Sequence, residues 1–178
     1  MNYLLISCLL IQAFSGRICL SIGWTLEWSF PDSSNIDFKL ILISDTIDNF
    51  GWVGIGLKYD EEEIGMANAD ITNFILTDLP TDQYSESNSE PIYDIDIGGN
   101  ENIINPLYDK KTFTYTWTRP INSGDIYDKE HIENDSYQLL WACGQMSEDI
   151  PLKHERENRD TVNIELSEEF DKDCIAEA

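Results

Sequence analysis

Trp24-Thr25-Leu26-Glu27-Trp28-Ser29-Phe30 alternates apolar and polar side chains without a break. In an extended chain successive side chains point to opposite faces, so Trp24, Leu26, Trp28 and Phe30 share one face. A helix would scatter them around its circumference. The stretch therefore predicts a half-buried strand. Phe113-Thr114-Tyr115-Thr116-Trp117-Thr118 repeats the pattern with aromatic and Thr residues, which suit a pleated surface.

Outward from these two stretches, shorter strand-like runs occupy 38–44, 52–57, 71–76, 92–97, 137–143 and 161–166. Turn chemistry separates them, as at Pro31-Asp32, Asp48-Asn49 and Gly98-Gly99-Asn100. No window of about eleven residues carries a helical apolar stripe. Roughly eight short strands punctuated by turns predict an all-β sandwich or barrel, with no internal repeat and no linker. The polar stretch from Asp78 to Pro91 reads as a long surface loop. Asp60 to Glu63, a run of acids, reads as a solvated connection between strands.

The chain has 178 residues, enough for one domain with a sizeable core. It carries 34 acidic and 11 basic residues, a formal net charge of -23. Such a surface repels phosphate backbones and anionic lipid headgroups, which excludes nucleic acid as a partner. Leu4 to Phe14 is apolar and the first charge is Arg17, a pattern expected of a signal peptide over residues 1–21 and of a secreted product. Small residues allow cleavage after Ser15 or after Ser21. The globular unit is then expected over 22–168, followed by a polar tail at 169–178. No later apolar run is long enough to span a bilayer.

With Cys8 inside the leader, Cys19, Cys143 and Cys174 remain. One disulfide is expected in an oxidising compartment: cleavage after Ser15 leaves three thiols and an open pairing, and cleavage after Ser21 leaves Cys143 and Cys174 as the pair. Asn134-Asp135-Ser136 is a glycosylation acceptor in a turn-like stretch.

Two histidines limit the metal chemistry. His131 lies in a charged stretch and reads as a surface residue. A structural zinc site needs about four Cys or His ligands at close spacing, which the chain lacks. The order Cys143, Met146, His154 does not make a blue-copper loop. No nucleophile elbow or phosphate-cradling loop is present, so catalysis by the chain's own side chains is disfavoured. Met66, flanked by small residues, and His154 form one pair with chemical meaning. A thioether and an imidazole hold haem iron six-coordinate and suit it to electron transfer.

Gly51-Trp52-Val53-Gly54-Ile55-Gly56 followed by Met66-Ala67-Asn68-Ala69-Asp70 resembles the opening signature of DOMON domains. Pro91-Ile92-Tyr93-Asp94, Gly98-Gly99-Asn100 and Thr118-Arg119-Pro120-Ile121 follow in the family's order. So do Leu139-Leu140-Trp141-Ala142-Cys143-Gly144 and His154 to Arg159. The resemblance spans about residues 22 to 168. It implies an immunoglobulin-like β-sandwich acting as an extracellular ligand-binding module. Some members, such as the cytochrome domain of cellobiose dehydrogenase, hold haem b between a Met and a His. Met66 and His154 match those positions, which makes them the expected haem-iron ligands of an electron carrier with a separate redox partner protein. Other members lack the ligands, which leaves a haem-free module for carbohydrate or protein as the alternative, with Tyr84, Tyr93 and Tyr108 as aromatic contacts. Calcium-dependent adhesion is a third reading.

Overall fold

The computed structural model describes residues 16–43, 49–63, 65–76 and 78–172. Residues 1–15 of the leader expected over 1–21, Cys174 and most of the expected polar tail lie outside them, while Gly16–Cys19 of that leader form a strand. Fourteen strands account for most of the regular structure. They are β1 (Gly16–Cys19), β2 (Thr25–Ser29), β3 (Asn35–Ile41), β4 (Trp52–Tyr59), β5 (Ala69–Ile75), β6 (Thr81–Ser85) and β7 (Ile92–Tyr93). After a one-turn helix α1 (Asp94–Ile97) come β8 (Ile104–Asp109), β9 (Thr114–Pro120), β10 (Ser136–Gly144), β11 (Met146–Ser147) and β12 (Ile150–Pro151). A short 3-10 turn at Arg156–Asn158 leads to β13 (Arg159–Glu165), and β14 (Asp171–Lys172) ends the order.

Two six-stranded sheets enclose the core. The first has the order β14-β1-β2-β3-β9-β8, the second β13-β10-β4-β5-β6-β7, and β11 pairs with β12 separately. Neighbours are antiparallel except β1 and β14, which run parallel. The protein is an all-β sandwich. No helix among the described residues is long and apolar enough to cross a membrane.

The alternation read from 24–30 and 113–118 sets the core. Trp24, Leu26 and Trp28 are buried, and so are Tyr115 and Trp117 from the paired face of β9. The second sheet answers with Val53, Ile55, Leu57, Phe74, Leu139 and Trp141. A strand that alternates in this way buries one face and leaves the other for a different use.

Several elements differ from the sequence reading. Residues 78–91 are not all loop, because β6 pairs with β5 from Asn73↔Thr81 to Ala69↔Ser85. Its Asp82, Gln83 and Ser85 are buried polar residues, so hydropathy gives no hint of it. The 92–97 run divides into the two-residue β7 and α1. The first sheet also reaches beyond the 22–168 unit at both ends, through β1 and β14.

Two further expectations are corrected. Cys143 is a free, buried thiol, so the disulfide expected between Cys143 and Cys174 is not formed; Cys19 is disulfide-bonded instead. β10 points Cys143 into the core beside Leu139 and Trp141, and burial pushes its thiol up to about 12. His131 is not a surface residue. It is 2% exposed and packs edge-on to Phe38 at 5.8 Å between ring centroids.

Candidate functional site

The outward face of the second sheet carries a cleft of about 1200 Å³. Its floor follows from the registers. In β4 the inward residues are Val53, Ile55 and Leu57, so Trp52, Gly54 and Gly56 face outward into the cleft. Ile71, Asn73 and Ile75 join them from β5, and Leu140 and Ala142 from β10. Two glycines on the central strand leave the middle of this floor without side chains.

Met66 and His154 both line this cleft. Met66 belongs to the connection that leaves the end of β4, and His154 lies by Trp52 at the start of that strand, with ring centroids 6.2 Å apart. They approach the two glycines from opposite ends of one strand. The structure therefore places the pair singled out in the sequence on one cleft, at opposite ends of its floor, although 88 positions part them in the numbering.

Each is held by named contacts. Lys58, only 2% exposed, donates from Nζ to the carbonyls of Glu63 (2.6 Å) and Gly65 (3.1 Å). Gln138 Nε2 donates to the carbonyls of Asp60 and Glu62. The Met66 N–H donates to Asn88 Oδ1 at 2.9 Å. Gly65 needs its freedom here, since its φ is +124° and a Cβ would meet Asn88 Oδ1 at 2.7 Å. The acidic run 60–63 is therefore a strapped loop, and not merely a solvated one. On the other side Trp52 Nε1 donates to the Leu152 carbonyl at 2.9 Å, which seats the segment leading to His154.

His154 is half-buried, and its Nδ1 lies 3.3 Å from the Glu155 carbonyl. With the proton on Nδ1 donated to that carbonyl, Nε2 keeps its lone pair, the form a metal requires. Burial lowers the imidazole's pKa, and the nearby Arg159 and Lys153 push the same way. The cleft is polarised. Lys153, Arg156 and Arg159 line the His154 end beside Asp149 and Asp160, whereas Asp60, Glu62, Glu63 and Glu90 line the cleft with Met66 and no cation among them.

The other candidates fall elsewhere. Of the three tyrosines, Tyr93 lines the cleft. Tyr84 pairs with Tyr127 at 5.3 Å, and Tyr108 stacks on Tyr115 at 4.4 Å, so both are packing residues. Asn134 is exposed, at φ +64° in the turn before β10. The cleft residues that the sequence reading missed are the amides Asn73, Gln83, Gln138 and Asn163. Only knowledge of which face of β5, β6, β10 and β13 looks outward picks them from the chain's many polar residues.

The floor offers a side-chain-free strip at Gly54 and Gly56, apolar flanks at Ile71, Ile75 and Leu140, and a soft and a borderline donor at opposite ends. No family model matches the chain, and no curated protein matches it.

Proposed function

We propose that the chain is an extracellular haem b-binding electron carrier of the DOMON type, on an immunoglobulin-like sandwich, with Met66 and His154 as the axial ligands. The observation that carries this reading is that both side chains line one cleft over a glycine-floored strand. Met66 and His154 would hold the iron through a thioether and an imidazole, a pair that raises its potential and suits it to electron transfer. Ile71, Ile75 and Leu140 would exclude water, and Lys153, Arg156 and Arg159 would outweigh Asp149 and Asp160 in offsetting the carboxylates of the bound group, in a chain of net charge -23.

Purified protein supplied with haem is expected to show a Soret band and low-spin α and β bands on reduction. Met66→Ala should move the spectrum to high spin, and His154→Ala should lose most of the binding. An absent Soret band in the folded wild-type protein overturns the reading.

A second reading rests on the amides Asn73, Gln83, Gln138 and Asn163 with Trp52 and Tyr93 in the same cleft. Amides and aromatic faces suit a polyhydroxylated ligand, and the chain then works as a haem-free carbohydrate-binding module. Glycan binding that survives Met66→Ala and His154→Ala selects this alternative.

A further inference from the structure

On the inner side of the second sheet, carboxylates outnumber cations. Arg119, 1% exposed, donates to Asp82 Oδ1 (2.7 Å), Asp128 Oδ1 (2.8 Å) and Asp70 Oδ2 (3.2 Å). One carboxylate oxygen from each of these three aspartates lies within 4.8 Å of the other two. Asp94, on α1, is also 1% exposed, and neither of its oxygens has a hydrogen-bond partner among the described residues. Asp128 Oδ2 is buried and unpartnered in the same way.

The segment that follows Asp94 is packed against the loop that carries Asp128. Asn100 donates its backbone N–H to Asp125 Oδ2 at 2.6 Å, and the Tyr127 hydroxyl donates to the Ile97 carbonyl at 2.9 Å. A Cβ on Gly99 would meet Asp125 Oδ2 at 2.8 Å and the Asp94 carbonyl at 3.1 Å. Asp82 Oδ2 accepts the Asn102 N–H at 2.9 Å, which draws the same segment onto β6. Lys129, the next cation along, is paired with Glu62. Three aspartates thus hold one guanidinium, and Asp94 adds a fourth buried carboxyl within its field. Burial pushes the Asp94 carboxyl up to about 7, with Asp128 and Asp70 as the next causes. Buried carboxylates in such excess need protons or a cation.

The donors are hard carboxylate oxygens, which suit calcium or magnesium better than zinc or copper. They come from a one-turn helix and an irregular loop. That setting suits calcium's adaptable coordination better than magnesium's strict octahedron.

We propose that Asp94 and Asp128, backed by Asp70 and Asp82, form a calcium site between α1 and the 122–128 loop. Asp94 supplies both oxygens and Asp128 its Oδ2, while Arg119 fixes the neighbouring carboxylates. The site is separate from the cleft. β5 and β6 send Asp70 and Asp82 inward and Ile71 and Gln83 outward, so the proposal stands whatever the cleft binds. Calcium there ties α1 and the loop to the sheet.

The test uses the full chain stripped with chelator, at neutral pH and constant ionic strength, titrated with calcium chloride and in parallel with magnesium chloride. Calcium is expected to raise the melting temperature by roughly 5 °C, with one site by calorimetry. Asp94→Asn, which keeps the side-chain shape, should weaken calcium binding at least tenfold. It should also unfold no lower than wild type without calcium, because it removes an uncompensated buried charge. Glu61→Gln, in the exposed acidic run, should leave binding unchanged. The proposal is overturned by an absent calcium shift in wild type, by an equal response to magnesium, or by undiminished binding in Asp94→Asn.

Discussion

Between the two sheets, β9 sends Tyr115 and Trp117 into an aromatic cluster and, two residues later, Arg119 into a ring of carboxylates. Phe74 touches both aromatics, at 4.8 and 5.1 Å, and Phe38 stacks on Trp117 at 5.2 Å. Across the same interior, Arg119 holds three aspartates within 3.2 Å. One strand with a period of two therefore builds two unlike regions. The aromatic region is non-directional, and losing a methyl group there costs its transfer free energy plus the small cavity it leaves. The ionic region depends on each partner, because removing one leaves others charged and dry.

That contrast is most sharply broken at Arg119. Arg119→Met keeps the length of the chain but leaves the aspartates uncompensated, and should cost about 3–5 kcal/mol in denaturant unfolding. Adding Asp82→Asn should recover part of that loss. If the single variant were as stable as wild type, the ring would not be an ionic network at all.

His131 sits between the two regions, with Phe38 against its ring and the Arg119 charge felt from the other side. Burial first, and Arg119 second, push its imidazole down to about 3. In the unfolded chain it titrates near 6.5. Its contribution to stability is full above 6.5 and is lost as pH falls from 6.5 toward 3, because only the unfolded state takes up the proton. Unfolding curves of wild type and His131→Leu should therefore diverge below pH 6.5. Wild type should lose about 1.4 kcal/mol per pH unit relative to the variant. Parallel pH profiles would mean that the ring is hydrated.

In the apolar core Ile55→Val should cost about 1 kcal/mol, with no pH dependence beyond that of wild type. Ile55 is buried in the core cluster and pairs with Trp141 across β4 and β10. At the edge of the first sheet, the bidentate pair of Arg17 with Asp171 joins β1 to β14 in the open. Asp171→Asn should change stability by less than a denaturant titration resolves. The thiols give a chemical check of the same inside–outside distinction. Cys143 should be alkylated only after unfolding, and the peptide holding Cys19 should change mass on reduction.

The apolar half of the molecule was legible in the sequence. Trp24 to Phe30 and 113–118 became β2 and β9 because burial on one face writes a period of two into hydropathy. The polar half was not. β6 reads Thr-Asp-Gln-Tyr-Ser because one of its faces supplies Asp82 to Arg119 and the other supplies Gln83 to the cleft. A strand whose burial is satisfied by ion pairs and a cleft leaves no hydrophobic trace. His131 was misread for the same reason, since a buried neutral imidazole and an exposed one look alike between Glu130 and Ile132. Met66 and His154 could be paired from the family resemblance. Their shared cleft and the straps at Lys58 and Trp52 needed coordinates.

Gly54 and Gly56 carry one more consequence. Neither has a positive φ, and an added Cβ meets neighbours no closer than 3.7 Å at Gly54 and 3.4 Å at Gly56. Both positions therefore have room for a methyl group without moving a neighbour, and β-branched residues suit a strand backbone. Cleft depth is thus an adjustable dimension, free of the packing beneath it: stepping Gly54 through Ala to Val would raise the floor by known increments. Whatever occupies the cleft could be evicted gradually from a protein that stays intact, giving a graded ruler for ligand size.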